Sequence, residues 1–181
     1  MSRRPNTVGG GSNTNFNGLS FEDRTNLLES MEAHRDICYS KKDNMTEIFF
    51  KNTSIGFYFE KHDFYKNFLE KRFEINYKEI NSKKYLPDAV FVNDKNKTVY
   101  IMEKKYQEGS GSVDEKLQTC DFKKKVFSKL LKETGYDIQY YYLLNNYFEK
   151  KEYDAVKKYI ESIGCKYFFD DIPFRDIGID S

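Results

Sequence analysis

Two apolar segments, LPDAVFV (86–92) and TVYIMEKKY (98–106), separated only by Asn93-Asp94-Lys95-Asn96-Lys97, constrain this chain more than any other feature. Five turn-forming residues leave no room for an intervening helix, so the two runs are predicted to form a hairpin. Alternation along a strand sends residues i and i+2 to one face. Glu103 and Lys105 therefore project together, while Lys104 turns to the other side. Asp88, at the start of the first run, can meet Glu103 across the pair. Two carboxylates around one divalent cation, with an ammonium beside them, are the equipment for metal-assisted hydrolysis of a phosphodiester.

The remaining composition narrows the setting of that hairpin. A chain of 181 residues is predicted to fold as one domain, residues 19–181, with a sizeable core. Tyr and Phe make up the whole 17% aromatic share and offset a lowish apolar content of 39%. Net charge is only +1, so no global field draws the protein to nucleic acid. Charge is uneven, however: ten lysines face five acids between Lys95 and Lys132, whereas acids outnumber bases from Asp137 onward. That pattern suits one nucleic-acid-facing side, and equally a solvated helix face. Cys38, Cys120 and Cys165 are scattered, with no CxxC pair and only two histidines, which argues against a zinc site or a disulfide framework. Reduced thiols, no apolar run of membrane-spanning length and no signal peptide point to a cytoplasmic protein without a membrane partner.

Residues 1–18, rich in Gly, Ser and Asn, are read as an arm that is flexible or ordered by a ligand. A helix is expected from about 20 to 34, started by Ser20 and burying Phe21, Leu27, Leu28 and Met31. The segment 47–60 reads as a hairpin or bent strand pair around Asn52-Thr53, and 62–72 as a helix. After Gly109-Ser110-Gly111-Ser112 the spacing predicts one long helix over 113–133. It buries Val113, Leu117, Cys120, Val126, Phe127, Leu130 and Leu131. DIQYYYLLN (137–145) reads as a central strand, 148–162 as a helix and CKYFF (165–169) as a last strand. The expected architecture is an α/β sandwich around a mixed sheet.

Pro87-Asp88 followed by Glu103-x-Lys105, in an α-β-β-β-α-β order, resembles the PD-(D/E)xK nuclease superfamily across about residues 15–170. The resemblance implies a restriction-endonuclease-like mixed β-sheet flanked by helices. It makes Asp88 and Glu103 the ligands of Mg2+ and gives Lys105 the activation of water and the stabilisation of the transition state. A 5′-phosphate and a 3′-hydroxyl are the implied products. Many members place an acid on the helix before the sheet, a position that Glu22 fits, with Asp23 as the fallback. A first-turn acid favoured by the helix dipole is the alternative for Glu22. Gln107, two residues beyond Lys105, could hold a phosphate or the attacking water, or be a strand-end polar residue. In SVDEKLQT, among Asp114, Lys116, Gln118 and Thr119, Lys116 is the best phosphate contact, with Gln118 beside it and a helix N-terminus nearby. Lys123, Lys124 and Lys125 are expected on a solvated helix face.

GGGSNTNFNGLSFEDRT together with EKKYQEGSGSVDEKLQT is most similar to type II restriction endonucleases. That likeness implies a homodimer on double-stranded DNA and a cognate DNA methyltransferase encoded nearby. Asn13, Asn15 and Asn17 of the arm would then reach base edges, since an asparagine can pair with adenine in bidentate fashion. Loops at 40–54 or 75–85 would add to recognition. Two other readings keep the same scaffold: a structure-specific nuclease, such as a Holliday-junction resolvase or a repair nickase, and a non-catalytic nucleic-acid-binding module.

Overall fold

The computed structural model describes residues 20–21, 23–109 and 113–180, without the side chains of Val113 and Asp114. Glu22 and the arm asparagines Asn13, Asn15 and Asn17 lie outside the described residues. The elements in chain order are α1 (Leu27–Glu32), β1 (Ile37–Lys42), β2 (Met45–Phe50) and β3 (Thr53–Phe59). A continuous helix follows, α2, made of Lys61–Asp63, a π-helical Phe64–Glu70 and Lys71–Phe73, and then α3 (Tyr77–Ile80). After β4 (Ala89–Asn93) and β5 (Thr98–Lys105) come α4 (Val113–Leu117), α5 (Cys120–Leu131), β6 (Asp137–Leu144), α6 (Asp154–Ser162) and β7 (Lys166–Phe169).

The seven strands form one open mixed sheet whose spatial order follows the chain, β1 to β7. Strands β1 to β5 pair antiparallel, joined by tight turns except between β3 and β4, where α2 and α3 intervene, while β5–β6 and β6–β7 are parallel. Parallel neighbours need crossovers, and the two are supplied by α4–α5 and by α6. Gly56 marks the closest approach within the antiparallel half. Its φ is +151°, and a Cβ there would stand 1.8 Å from the Val92 carbonyl oxygen. Only glycine fits.

Alternation along β5 divides the core. Val99 and Ile101 face one side, where Val90, Val92, Tyr140, Tyr142 and Leu144 pack with Phe64 and Phe68 of α2, Phe127 and Leu130 of α5 and Ile160 of α6. Tyr100 and Met102 face the other, against Phe21, Leu27, Leu28, Met31 and the C-terminal Ile172, Ile177 and Ile179. The site residues belong to the first face, at the end of the sheet where β4 begins and β5 ends.

Several elements depart from expectation. The first helix is broken: Ser20, Phe21, Asp23 and Arg24 are helical, but Asn26 caps a new helix by accepting from the Leu28 N–H. The long helix is broken too, at Gln118–Thr119. The expected loop 40–54 is occupied by strand, with two-residue turns at Asp43–Asn44 and Lys51–Asn52. All four turn residues have positive φ, as a tight hairpin turn requires. Segment 75–85 is irregular apart from α3. The expected 148–162 helix becomes two 3-10 turns followed by α6.

Candidate active site

In the β4–β5 register Ala89 stands opposite Met102, so Asp88 stands opposite Glu103 at the mouth of the pair. Asp88 Oδ2 accepts the Lys104 backbone N–H at 2.8 Å, which locks the aspartate against the neighbouring strand. Glu103 is 3% exposed. A buried lone carboxylate would be severely penalised, and Glu103 is not alone. Lys105 Nζ donates to its Oε2 at 2.9 Å and Lys123 Nζ to its Oε1 at 2.8 Å. Burial pushes the Glu103 pKa up, but the charges and hydrogen bonds of Lys105 and Lys123 outweigh it and hold the carboxyl below its usual range. Glu103 is therefore an anion.

The Lys105 ammonium touches more than Glu103. It also donates to the Lys104 carbonyl oxygen at 2.9 Å and lies 3.9 Å from Asp88 Oδ2. One cationic atom thus sits among an aspartate oxygen, a glutamate oxygen and a backbone carbonyl oxygen from two adjacent strands. Among the described residues no three His, Cys, Asp or Glu side chains converge on a metal position. The third oxygen here belongs to the main chain. Hard oxygens carrying two negative charges, already converged on a cation, fit magnesium or manganese and do not suit a soft metal.

Lys123 was expected on a solvated face and is instead part of the site. It lies one turn into α5, whose first residue, Cys120, is buried against the sheet. Its neighbours follow the expectation more closely. Lys125 pairs with Asp121 at the surface, and Lys124 donates to the Ile163 and Gly164 carbonyls at the end of α6. Lys116 and Gln118 are exposed, and the Lys116 carbonyl accepts from the Tyr142 hydroxyl at 3.1 Å, which ties α4 to the strand beside Glu103. The residues that precede α4, 110–112, where a helix N-terminus was expected to meet a phosphate, lie outside the described residues.

Gln107 is drawn inward. It is 4% exposed, and neither atom of its side-chain amide has a hydrogen-bond partner among the described residues. Its backbone is firmly held: the Gln107 N–H donates to Asn145 Oδ1 at 3.1 Å, and Asn145 Nδ2 donates to the Gln107 carbonyl at 2.9 Å. The Asn145 side chain thereby copies one further rung of the β5–β6 ladder beyond Lys105. Sequence reasoning missed this role, whose only trace was an amide at the end of the apolar strand 137–145. Tyr140 completes the floor. Its hydroxyl is kept neutral by burial first and then by the charges of Glu103, Tyr142 and Asp88.

No protein-family model matches this chain, and neither a curated protein nor a solved structure does. No described helix is long and apolar enough to cross a membrane.

Proposed function

We propose that this protein is a magnesium-dependent endonuclease of the PD-(D/E)xK kind, hydrolysing DNA to 5′-phosphate and 3′-hydroxyl ends. One observation carries the reading. The oxygens of Asp88, Glu103 and the Lys104 main chain converge on a single cationic atom at an open end of the sheet. Asp88, Glu103 and the Lys104 carbonyl would hold the cation. When bound, it supplies positive charge to the phosphate and lowers the pKa of water.

The chain's own residues do the rest. Lys105 Nζ orients the attacking water, and Lys123 Nζ meets a non-bridging phosphate oxygen as negative charge builds in the transition state. Lys123 suits that task because, among the described residues, Glu103 is the one acceptor of its ammonium, which leaves N–H groups for an incoming anion. Water forms the new bond to phosphorus, the bond to O3′ breaks, and one proton ends on O3′. Gln107 enters as a packed residue behind the site and not as a contact to substrate.

The type II restriction reading belongs to this proposal, with double-stranded DNA, a homodimer that cuts both strands of a palindrome and a methyltransferase encoded nearby. Its recognition residues in the arm lie outside the described residues. The test is incubation of unmethylated plasmid and of a four-way junction with magnesium and, separately, with a chelator. Magnesium-dependent, discrete bands support restriction, and junction-only cleavage supports resolution. No hydrolysis of single-stranded, double-stranded or branched DNA or RNA returns the protein to the non-catalytic reading.

A further inference from the structure

The rim of the site carries apolar surface that phosphate chemistry does not need. Phe122, the residue before Lys123, is 54% exposed, and Leu86, two residues before Asp88, is 37% exposed. The Phe122 ring meets Tyr85 edge-on, with centroids 5.5 Å apart and planes at 76°. Tyr85 is fixed in turn: its carbonyl accepts from the buried Tyr65 hydroxyl at 2.7 Å, and Lys83 Nζ lies 5.6 Å from the Tyr85 ring centroid. A half-buried tyrosine thus holds an exposed phenyl ring in a set orientation beside Lys123, whose ammonium touches Glu103. Lys84 Nζ stands 4.6 Å from the centroid of the Tyr65 ring that anchors Tyr85, so Lys83 and Lys84 flank the pair on one side and Lys123, next to Phe122 in the chain, on the other.

We infer that this platform stacks an unpaired base, so that the substrate presents a single-stranded or splayed strand at the scissile phosphate. The inference rests on the nuclease reading and departs from its restriction form, because the strand at the scissile phosphate is unpaired and not part of an intact duplex. Charge complementarity selects nucleic acid as the occupant, because the ring is set among lysines. Ring chemistry then selects the unpaired form. A phenyl group cannot hydrogen-bond a base edge or a phosphate, and in an intact duplex the base faces are already stacked. In a single strand every base offers a free π-face.

The experiment uses the full chain carrying Asp88→Asn, so that nothing is cut, together with fluorescent single-stranded DNA, its RNA counterpart and the fully paired duplex. The single strands should bind about tenfold more tightly than the duplex, and Phe122→Leu should remove about that tenfold. Phe122→Tyr should restore it. A 2-aminopurine base in the single strand should be quenched by the parent protein and not by Phe122→Leu, and the DNA and RNA arms show which strand chemistry is preferred. Equal affinity for duplex and single strand, unmoved by Phe122→Leu, overturns the inference. So does light scattering in which Phe122→Leu turns a dimer into monomers while strand binding is unchanged. The nuclease reading fails separately. If binding depends on Phe122 but protein with Asp88 intact cuts nothing in magnesium, the platform stands and the nuclease falls. If duplex alone is cut, at a rate indifferent to Phe122, the nuclease stands and the platform falls.

Discussion

The same sheet face carries an ionic cluster at each end, and the two are built to opposite rules. At the turn end, Asp94 accepts from Arg72 through both oxygens at 3.2 Å and from the Tyr136 hydroxyl. Arg72 Nη2 also donates to the Tyr136 hydroxyl at 2.8 Å, and its guanidinium carbon stands 5.5 Å from the centroids of the Phe68, Phe73 and Tyr136 rings alike. Asn93 beside it spends its amide on the Ile177 and Gly178 carbonyls and on two turn N–H groups. Lys97 Nζ donates to the same Tyr136 hydroxyl at 3.3 Å, so the one acid of that cluster is held by protein groups in each of these contacts. At the mouth end, two lysines grip one buried glutamate, a third oxygen comes from the main chain, and Asp88 stands at the opening. The turn cluster closes a tyrosine, an arginine and an acid on one another, whereas the mouth gathers oxygens of two strands around one ammonium, the arrangement on which the proposed function rests.

Substitutions at the mouth should therefore move chemistry, and substitutions at the turn should move stability. The largest effect is expected from Lys105→Ala and Asp88→Asn, each lowering the magnesium-dependent cleavage rate at least about a hundredfold. Circular dichroism should show an unchanged fold in both. Cleavage that survives either change would erase the contrast between the two ends.

Lys123→Met sharpens the contrast by separating two roles of one charge. Its ammonium lies 2.8 Å from Glu103 and so competes with an incoming dication for the same carboxylate. Calorimetry should find tighter magnesium binding in the variant, while single-turnover cleavage falls about tenfold through loss of a donor to the phosphate. A residue that merely supported the helix would not move the two readouts in opposite directions.

At the other end, Arg72→Ala should cost about 1–2 kcal/mol of stability, discounted because the pair is about a third exposed. Cleavage per folded molecule should be unchanged. Urea denaturation and an assay normalised to folded protein check both halves.

What could be read from sequence follows the same division. Asp88, Glu103 and Lys105 were legible because period-two alternation and a five-residue turn fix which strand residues share a face. Lys123 was not. The predicted continuous helix over 113–133 hid the break at Gln118–Thr119, and a break of this kind resets the phase that decides which of Lys123, Lys124 and Lys125 turns inward. Strand β1 was missed because Ile37 is its one buried residue. It is an edge strand defined by pairing with β2 and not by its own apolar pattern. Asn145 acts through main-chain partners 38 residues away, a relation that no local spacing encodes.

The smallest expected effect is a pH dependence confined to the turn end. Burial first, and then the hydrogen bond and charge of Asp94, push the Tyr136 pKa up to about 12, against a smaller pull downward from Arg72. In the unfolded chain a tyrosine ionises near ~10. Below that pH both states keep the proton and the contribution to stability is fully present. As pH rises towards 12 the unfolded chain ionises while native Tyr136 stays neutral, so the contribution is lost. Tyr58, Tyr65, Tyr140, Tyr141 and Tyr142 are also held neutral by burial, so the parent protein alone cannot assign the slope. The difference between parent and Tyr136→Phe can. Measured by urea denaturation, their stability gap should be constant up to about pH 9 and narrow between roughly pH 10 and 12. A gap that does not narrow would mean that Asp94 and the surrounding rings do not hold this proton, and the turn-end cluster would lose its claim to a structural role.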